Sequence, residues 1–351
     1  MKIGNFYIGE GNKSFIIAEL SANHNHQKSI AIDTIKAAKD CGADAIKLQT
    51  YTPDTITIDC DNQYFQIDND SLWDGKTLYD LYKEAYTPWE WHQELFEVAD
   101  KEGIICFSSP FDHSAVDLLE QLNTPAYKIA SFEIQDIPLI KYVAEKGKPI
   151  IISTGIATLE DIELAVQTCH NVGNRDVALL KCTSSYPAPI DLANLQTLVD
   201  LKRKFDVVVG ISDHTIGNTV PIVGTALGSK IIEKHFILDR ALGGPDASFS
   251  LDPDQFTSLV TEVRKAEQAL GSATYELSEK VEKNRKFARS LFSVENISKG
   301  EQITESNIRS IRPGYGLHPK YFSKIIGTKA KGNIDRGTPL TLEMFDIEEN
   351  K

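Results

Sequence analysis

The stretch VVVGISDHTIGNTVPIVGTALGSKIIEKHF, residues 207–236, decides the fold. VVVGIS (207–212) and KIIEKHF (230–236) are short, apolar and rich in β-branched residues, as buried strands are, and the residues between them read as a helix. Both strands run out into polar chemistry: Ser212, Asp213 and His214 after the first, Glu233, Lys234 and His235 at the end of the second. Side chains alternate along a strand, so Glu233 and His235 share one face and Lys234 takes the other. Neighbouring parallel strands lie roughly 5 Å apart, which puts His214 and His235 within reach of one metal ion.

Upstream the same unit recurs. Strands SFIIAEL (14–20), DAIKLQT (44–50), IICFSS (104–109), AYKIAS (126–131), PIIIST (149–154) and VALLKCT (177–183) alternate with helical stretches. Helix starts are marked, by Pro88 before WEWHQELFEVADKEG and by Thr158 with Asp161 at capping-box spacing. Unbroken alternation of this length predicts an α/β fold, a (β/α)8 TIM barrel over residues 1–271, with its chemistry at the carboxyl ends of the strands. Those ends read Glu19, Asn23 and His24; Lys47 and Gln49; Ser108 and Ser109; Lys128, Ser131 and Glu133; Ser153 and Thr154; Lys181, Thr183, Ser184, Ser185 and Tyr186. Lysines at or near four strand ends (Lys47, Lys128, Lys181, Lys234), with hydroxyls at most others, outline a concave site for an anion bearing phosphate or carboxylate. Lys128 and Ser131 are three apart, so one of them must act from a bend after the strand.

Composition narrows the function classes. The 351 residues carry a formal net charge of -13, which argues against nucleic acid and anionic membranes as partners. The N-terminal MKIGNFYIGEGNKSF lacks an apolar signal region and no stretch approaches a membrane span, so a cytoplasmic protein is expected. Cys41, Cys60, Cys106, Cys169 and Cys182 are scattered without a CxxC pair, which suggests neither a disulfide framework nor a thiolate metal site. Residues 51–87 form an unusually long connection whose aromatic second half, SLWDGKTLYDLYKEAYTP, reads mainly as a small satellite core. Residues 272–290 are polar and charged, a linker. Residues 291–351 hold a near-repeat, ISKGEQITESNI from Ile297 and IDRGTPLTLEMF from Ile334, which fits a compact β-rich domain of pseudo-twofold character.

The stretches IAELSANHNH, IKLQTY, YKIASFE, ISTG, KCTSSYP, GISDHT, EKHF, GGPDASFS and RPGYG, in this order, resemble the sialic acid synthase family over nearly the whole chain. The tail is similar to the antifreeze-like (SAF) domain of that family, and SLWDGKTLYDLYKEAYTPWEWH is similar to its pseudaminic acid synthase branch. The resemblance implies condensation of phosphoenolpyruvate with an acylated amino sugar, 2,4-diacetamido-2,4,6-trideoxy-altrose in that branch, with a divalent cation, Mn²⁺ or Mg²⁺, as cofactor. It implies substrate contacts from Lys47, Gln49, Ser109, Lys128, Ser131, Ser153, Ser184, Tyr186 and Ser212. It places the metal on His214 and His235 and makes Glu19 and Asp246 the carboxylates for holding water, orienting the sugar or moving protons. Arg312, in RPGYG, is implied to reach the barrel of a partner subunit in a domain-swapped homodimer. Ser184 and Ser109 stand where the neuraminate branch is expected to have Asn and Thr.

Other readings compete. N-acetylneuraminate or legionaminate synthesis would use the same residues. A Schiff-base aldolase would use Lys128 or Lys181 as the amine nucleophile and need no metal. A non-catalytic carbohydrate- or ice-binding protein would rest on the C-terminal domain alone.

Overall fold

The computed structural model describes residues 1–68 and 73–347, so Ser71 and Leu72 of the aromatic loop lie outside the described residues. It divides into two units, Met1–Gly271 and Ser272–Lys351. The first opens with a hairpin, β1 (Lys2–Ile3) and β2 (Phe6–Tyr7). Eight parallel strands follow: β3 (Phe15–Glu19), β4 (Ala45–Thr50), β5 (Ile105–Pro110), β6 (Tyr127–Ile129), β7 (Ile150–Ser153), β8 (Val177–Cys182), β9 (Val208–Asp213) and β10 (Ile231–His235). They pair in chain order, and β10 closes the barrel on β3 with His235 opposite Glu19. The expected (β/α)8 barrel is present.

Strand alternation builds the barrel in layers. Ile17, Ala45, Phe107, Ala126, Ile151, Leu180 and Ile231 fill the lower interior, while Ile16, Ile46, Tyr127, Ile152 and Ile232 turn outward to the helices. Two residues further along, the inward positions become polar: Glu19, Lys47, Ser109, Lys128, Ser153, Cys182, Ser212 and Glu233, one from each strand and all buried. An apolar floor under a polar layer places the chemistry at the carboxyl end, as the fold requires. The hairpin plugs the opposite end: Ile3 and Ile8 join the inner cluster, and the Phe6 ring lies 5.0 Å from Phe15. The sequence pattern marks no element before the strand at residue 14, because two-residue strands carry no usable periodicity.

Connections follow their local signals. Thr158 and Asp161 form the capping box of helix Leu159–Asn171, and a 3₁₀ turn, Trp89–Trp91, follows Pro88 into helix His92–Glu102. The long connection after β4 holds helices Pro53–Ile56 and Leu78–Ala85, the latter capped by Thr77. No helix among the described residues is long and apolar enough to cross a membrane.

The second unit pairs β11 (Ser290–Ser293) with β12 (Ile308–Ile311), so Ser290, the last residue read as linker, opens a strand. The near-repeat is its organising device. Ile297 and Ile334 exchange backbone hydrogen bonds of 2.8 Å with each other, and Ile303 and Leu340, at matching repeat positions, are fully buried. Gly300 and Gly337 hold φ of 80° and 85°, which favours glycine in both copies. The glycines of RPGYG serve a different end. A Cβ on Gly316 would lie 2.3 Å from the Leu291 carbonyl and one on Gly314 2.7 Å from that of Arg285, so both permit close packing.

Candidate active site

The polar layer is a chain of alternating charge. Lys47 Nζ lies 2.5 Å from Glu19 Oε2, donates to Ser109 Oγ at 3.2 Å and stands 3.9 Å from Glu233. Lys128 Nζ donates to Ser153 Oγ at 2.6 Å and to the Ile129 carbonyl, and lies 3.9 Å from the other Glu233 oxygen, which accepts from Ser212 at 2.8 Å. Glu233, absent from the implied contact set, is therefore the counter-ion shared by both lysines. Burial pushes Glu19 up to about 7, helped by Glu233 and opposed by Lys47. Burial disfavours a charged Lys47, yet the two carboxylates hold it above the ordinary lysine range. Lys128 is drawn below that range by burial, with Glu233 resisting.

Only two of the four strand-end lysines serve this layer. Lys234 turns to the outer face and pairs there with Asp213. Lys181 sits in register with Ile211, a helix-facing residue, and donates to the Cys182 carbonyl. Alternation sends both out of the barrel, which corrects the four-lysine outline and removes Lys181 as a Schiff-base candidate. His24 and Asn23 are also structural: His24 packs on Trp91, and Asn23 donates to the Phe236 carbonyl and Ser250.

Above β6 the chain bends as the Lys128–Ser131 spacing requires. Ser131 opens a 3₁₀ turn, Ser131–Glu133, accepts from the Ile156 amide at 3.1 Å and receives the Ser184 hydroxyl at 2.8 Å. Gly155 makes room for this nook: a Cβ there would lie 2.1 Å from Ser184 Oγ and 2.7 Å from Ser131 Oγ. In sequence this glycine was one letter of a motif, since its missing side chain has meaning only opposite Ser184.

The two histidines meet at the top of β9 and β10. Their ring centroids are 5.2 Å apart, and the Tyr186 ring, tilted by 53° to His214 at 4.4 Å, is packed by Phe249. His214 Nδ1 donates to the Thr183 carbonyl at 3.2 Å, so in the neutral ring Nε2 carries the lone pair; burial disfavours the charged ring, but the Cys182 thiol, 3.8 Å from Nδ1, and that carbonyl together hold His214 above the usual histidine range. Burial holds His235 well below the usual histidine range, reinforced by His214, so it is neutral, and its buried Nδ1 has no hydrogen-bond partner. Two buried imidazoles with lone pairs to spare fit a divalent cation. Among the described residues no group of three or more His, Cys, Asp or Glu is arranged to hold one, so water and substrate oxygens would complete the shell.

A relay of polar side chains links these parts. Gln49 Nε2 donates to Glu19 Oε1 and to Ser21 Oγ, both at 3.0 Å; Ser21 donates to Asp246, which lies 3.7 Å from His235. Burial raises Asp246, and the Ser21 hydrogen bond pulls the other way. These side chains open on a cavity of about 200 Å³ with two unlike sides. Gln49, Ser131, Glu133, Tyr186, His235 and Asp246 form the polar side; Ile56, Leu81, Tyr82, Ala85 and Phe111 form the apolar one. Trp73 also lines it, so Trp73 and Tyr82 of the aromatic loop wall the site, while Tyr86 packs on His26 as the satellite-core reading expected.

Glu133, read only as a strand-end residue, is half-buried here with its Oε2 buried and unpartnered, and desolvation pushes it up to about 7. A carboxyl whose folded pKa lies above its unfolded value binds protons more tightly when folded, so its stability cost is absent near pH 4 and grows as pH rises toward 7. Glu133→Gln should therefore gain up to about 3 kcal/mol of unfolding free energy at pH 8 and nothing at pH 4. Urea titrations at the two pH values check this; an equal change at both would refute it.

A closed parallel barrel with a buried lysine–glutamate layer, a histidine pair and a small β-rich partner unit defines a class, the sialic-acid-synthase-like enzymes. Residues 34–275 match the NeuB family model and residues 288–346 the SAF domain model, and the chain belongs to the NeuB family. It is 49% identical over 340 residues to a pseudaminic acid synthase of Campylobacter jejuni, covering 97% of this chain and 98% of that one. It is 48% identical to a pseudaminic acid synthase of Helicobacter pylori, covering 95% and 98%. A crystal structure of N-acetylneuraminic acid synthetase from Leptospira borgpetersenii superposes with a TM-score of 0.72 at 32% identity, covering 81% of this chain and 94% of that one. Family membership gives phosphoenolpyruvate-dependent nonulosonic acid synthesis as the general chemistry.

Proposed function

We propose that the protein condenses phosphoenolpyruvate with 2,4-diacetamido-2,4,6-trideoxy-altrose to give pseudaminate and phosphate. The two-sided cavity carries this reading. The buried polar layer of the barrel, with Lys47, Lys128, Ser109, Ser153 and Ser212, and the Ser131–Ser184 nook supply the cations and donors for an anion bearing phosphate and carboxylate, while the apolar residues of the cavity suit the methyl and acyl groups of a deoxy, acylated sugar. C3 of the enol attacks the aldehyde carbon, water adds at C2, and phosphate departs with the C2–O bond. His214 and His235 hold Mn²⁺ or Mg²⁺, which when bound supplies Lewis-acid polarisation of the aldehyde. Glu19 and Asp246, joined through Gln49 and Ser21, move the protons and orient water and sugar.

The deciding assay measures phosphate release and product mass with altrose-, mannose- and legionaminate-type diacetamido sugars and N-acetylmannosamine. The altrose-type sugar should give the highest kcat/KM; a preference for N-acetylmannosamine or the legionaminate precursor would move the protein to that branch. One observation favours an aldolase instead: burial depresses Lys128, as an amine nucleophile requires. Borohydride with substrate would then inactivate the enzyme covalently, whereas the synthase should survive.

Arg312 lies exposed in the second unit, and the resemblance carried by RPGYG supports its service at a partner copy's site. Mixing equal amounts of Arg312→Ala and His235→Ala, each nearly inactive alone, should restore about one quarter of wild-type sites in a twofold dimer. No recovery after verified subunit exchange would end that assignment.

A further inference from the structure

Directly behind the histidine pair, on the outer face of the barrel wall, lies a second pair that the chemistry above does not use. Asp213 and Lys234 are in register on β9 and β10, each side chain is 1% exposed, and Lys234 Nζ lies 2.5 Å from Asp213 Oδ2. The ammonium also donates to the carbonyls of Thr215 at 2.6 Å and Gly217 at 3.0 Å, which accounts for its three hydrogens. Asp213 Oδ1 in turn accepts from the Thr215 amide at 2.9 Å. His214 thus sits between two residues that Lys234 holds, and Lys234 is the residue before His235.

An apolar pair of similar volume would hold a barrel wall at least as well as these two buried charges, so stability alone is a weak reason for them. Directional bonds do what packing cannot: they fix how far β9 extends past β10 and where the chain after β9 turns. We infer that Asp213 and Lys234 are positioning residues, a clamp that sets the separation and aim of His214 and His235. The inference rests on the histidine pair being the metal site and goes beyond it by assigning the outer-face pair a role in metal affinity.

The test is Mn²⁺ binding to chelator-treated full-length protein, read from the electron paramagnetic resonance signal of free Mn²⁺. The double variant Asp213→Asn/Lys234→Met removes both charges and the link; it should bind Mn²⁺ roughly 10–100-fold more weakly, and turnover should recover in excess metal. Asp213→Asn/Lys234→Gln keeps a neutral hydrogen-bonded link and should bind within about threefold of wild type, a rescue that a packing role would not give. Should the first double variant not fold, Asp213→Leu/Lys234→Met, which fills the space with apolar side chains and has no link, takes its place and should weaken binding by a similar factor. Any folded link-breaking variant that binds Mn²⁺ as wild type does overturns the clamp. Wild-type protein that binds no Mn²⁺ would instead overturn the metal reading, and the clamp with it.

Discussion

Replacing His214 or His235 with alanine should lower kcat by about a thousandfold or more at ordinary Mn²⁺ concentrations while leaving the fold intact. Each variant removes one imidazole of the pair at the ends of β9 and β10, 5.2 Å apart by ring centroid. A cation held there would polarise the aldehyde, and its loss would forfeit several kcal/mol of transition-state stabilisation, every 1.36 kcal/mol being tenfold in rate. Folding should survive because the apolar floor of Ile17, Phe107, Ile151 and Ile231 lies well below the rim. The checks are kcat across a Mn²⁺ series and near-ultraviolet circular dichroism of each variant. Full activity of either in chelator-treated buffer would remove the histidines from the chemistry.

Lys47→Met should be the most damaging change in the polar layer, for stability and substrate binding together. Its ammonium stands among Glu19, Glu233 and Ser109, and without it the two buried carboxylates lose the cation they share, Lys128 remaining 3.9 Å from Glu233. Breaking a buried pair on one side costs about 3–5 kcal/mol, and the KM for phosphoenolpyruvate should rise at least about a hundredfold. The carboxylates would titrate higher in the folded variant than in its unfolded chain. The folded state then holds the extra protons, and the deficit is small near pH 5 and grows as pH rises. Adding Glu19→Gln should restore much of the stability and none of the phosphoenolpyruvate affinity, separating the structural charge balance from the anion site. A Lys47→Met enzyme with wild-type KM would place the anion elsewhere.

What the sequence made legible follows period two. Glu233 and His235 inward with Lys234 outward could be read from one strand, and the β-branched runs located all eight strands of the barrel. The same rule, applied along β8 and β10, excludes Lys181 and Lys234 from the anion site; grouping every strand-end lysine into one rim lost that distinction. Glu133 escaped because its orientation comes from a 3₁₀ turn after the strand, where alternation no longer applies. Trp73 and Tyr82 reach the cavity from a long connection whose path is set by contacts distant in sequence, such as Trp73 donating to the Pro245 carbonyl. The second unit was readable for the opposite reason: its repeat put matching apolar residues at matching offsets, and Ile297 meets Ile334 where the copies cross.

The central claim is that carbon, not phosphorus, is attacked at the anion site. Phosphoenolpyruvate labelled with ¹⁸O in the bridging C–O–P oxygen, turned over with the diacetamido sugar, tests it most directly by mass spectrometry of both products. C3 attack on the aldehyde followed by water at C2 predicts that the label leaves in inorganic phosphate. Label retained in the sugar acid would mean P–O cleavage and contradict the mechanism.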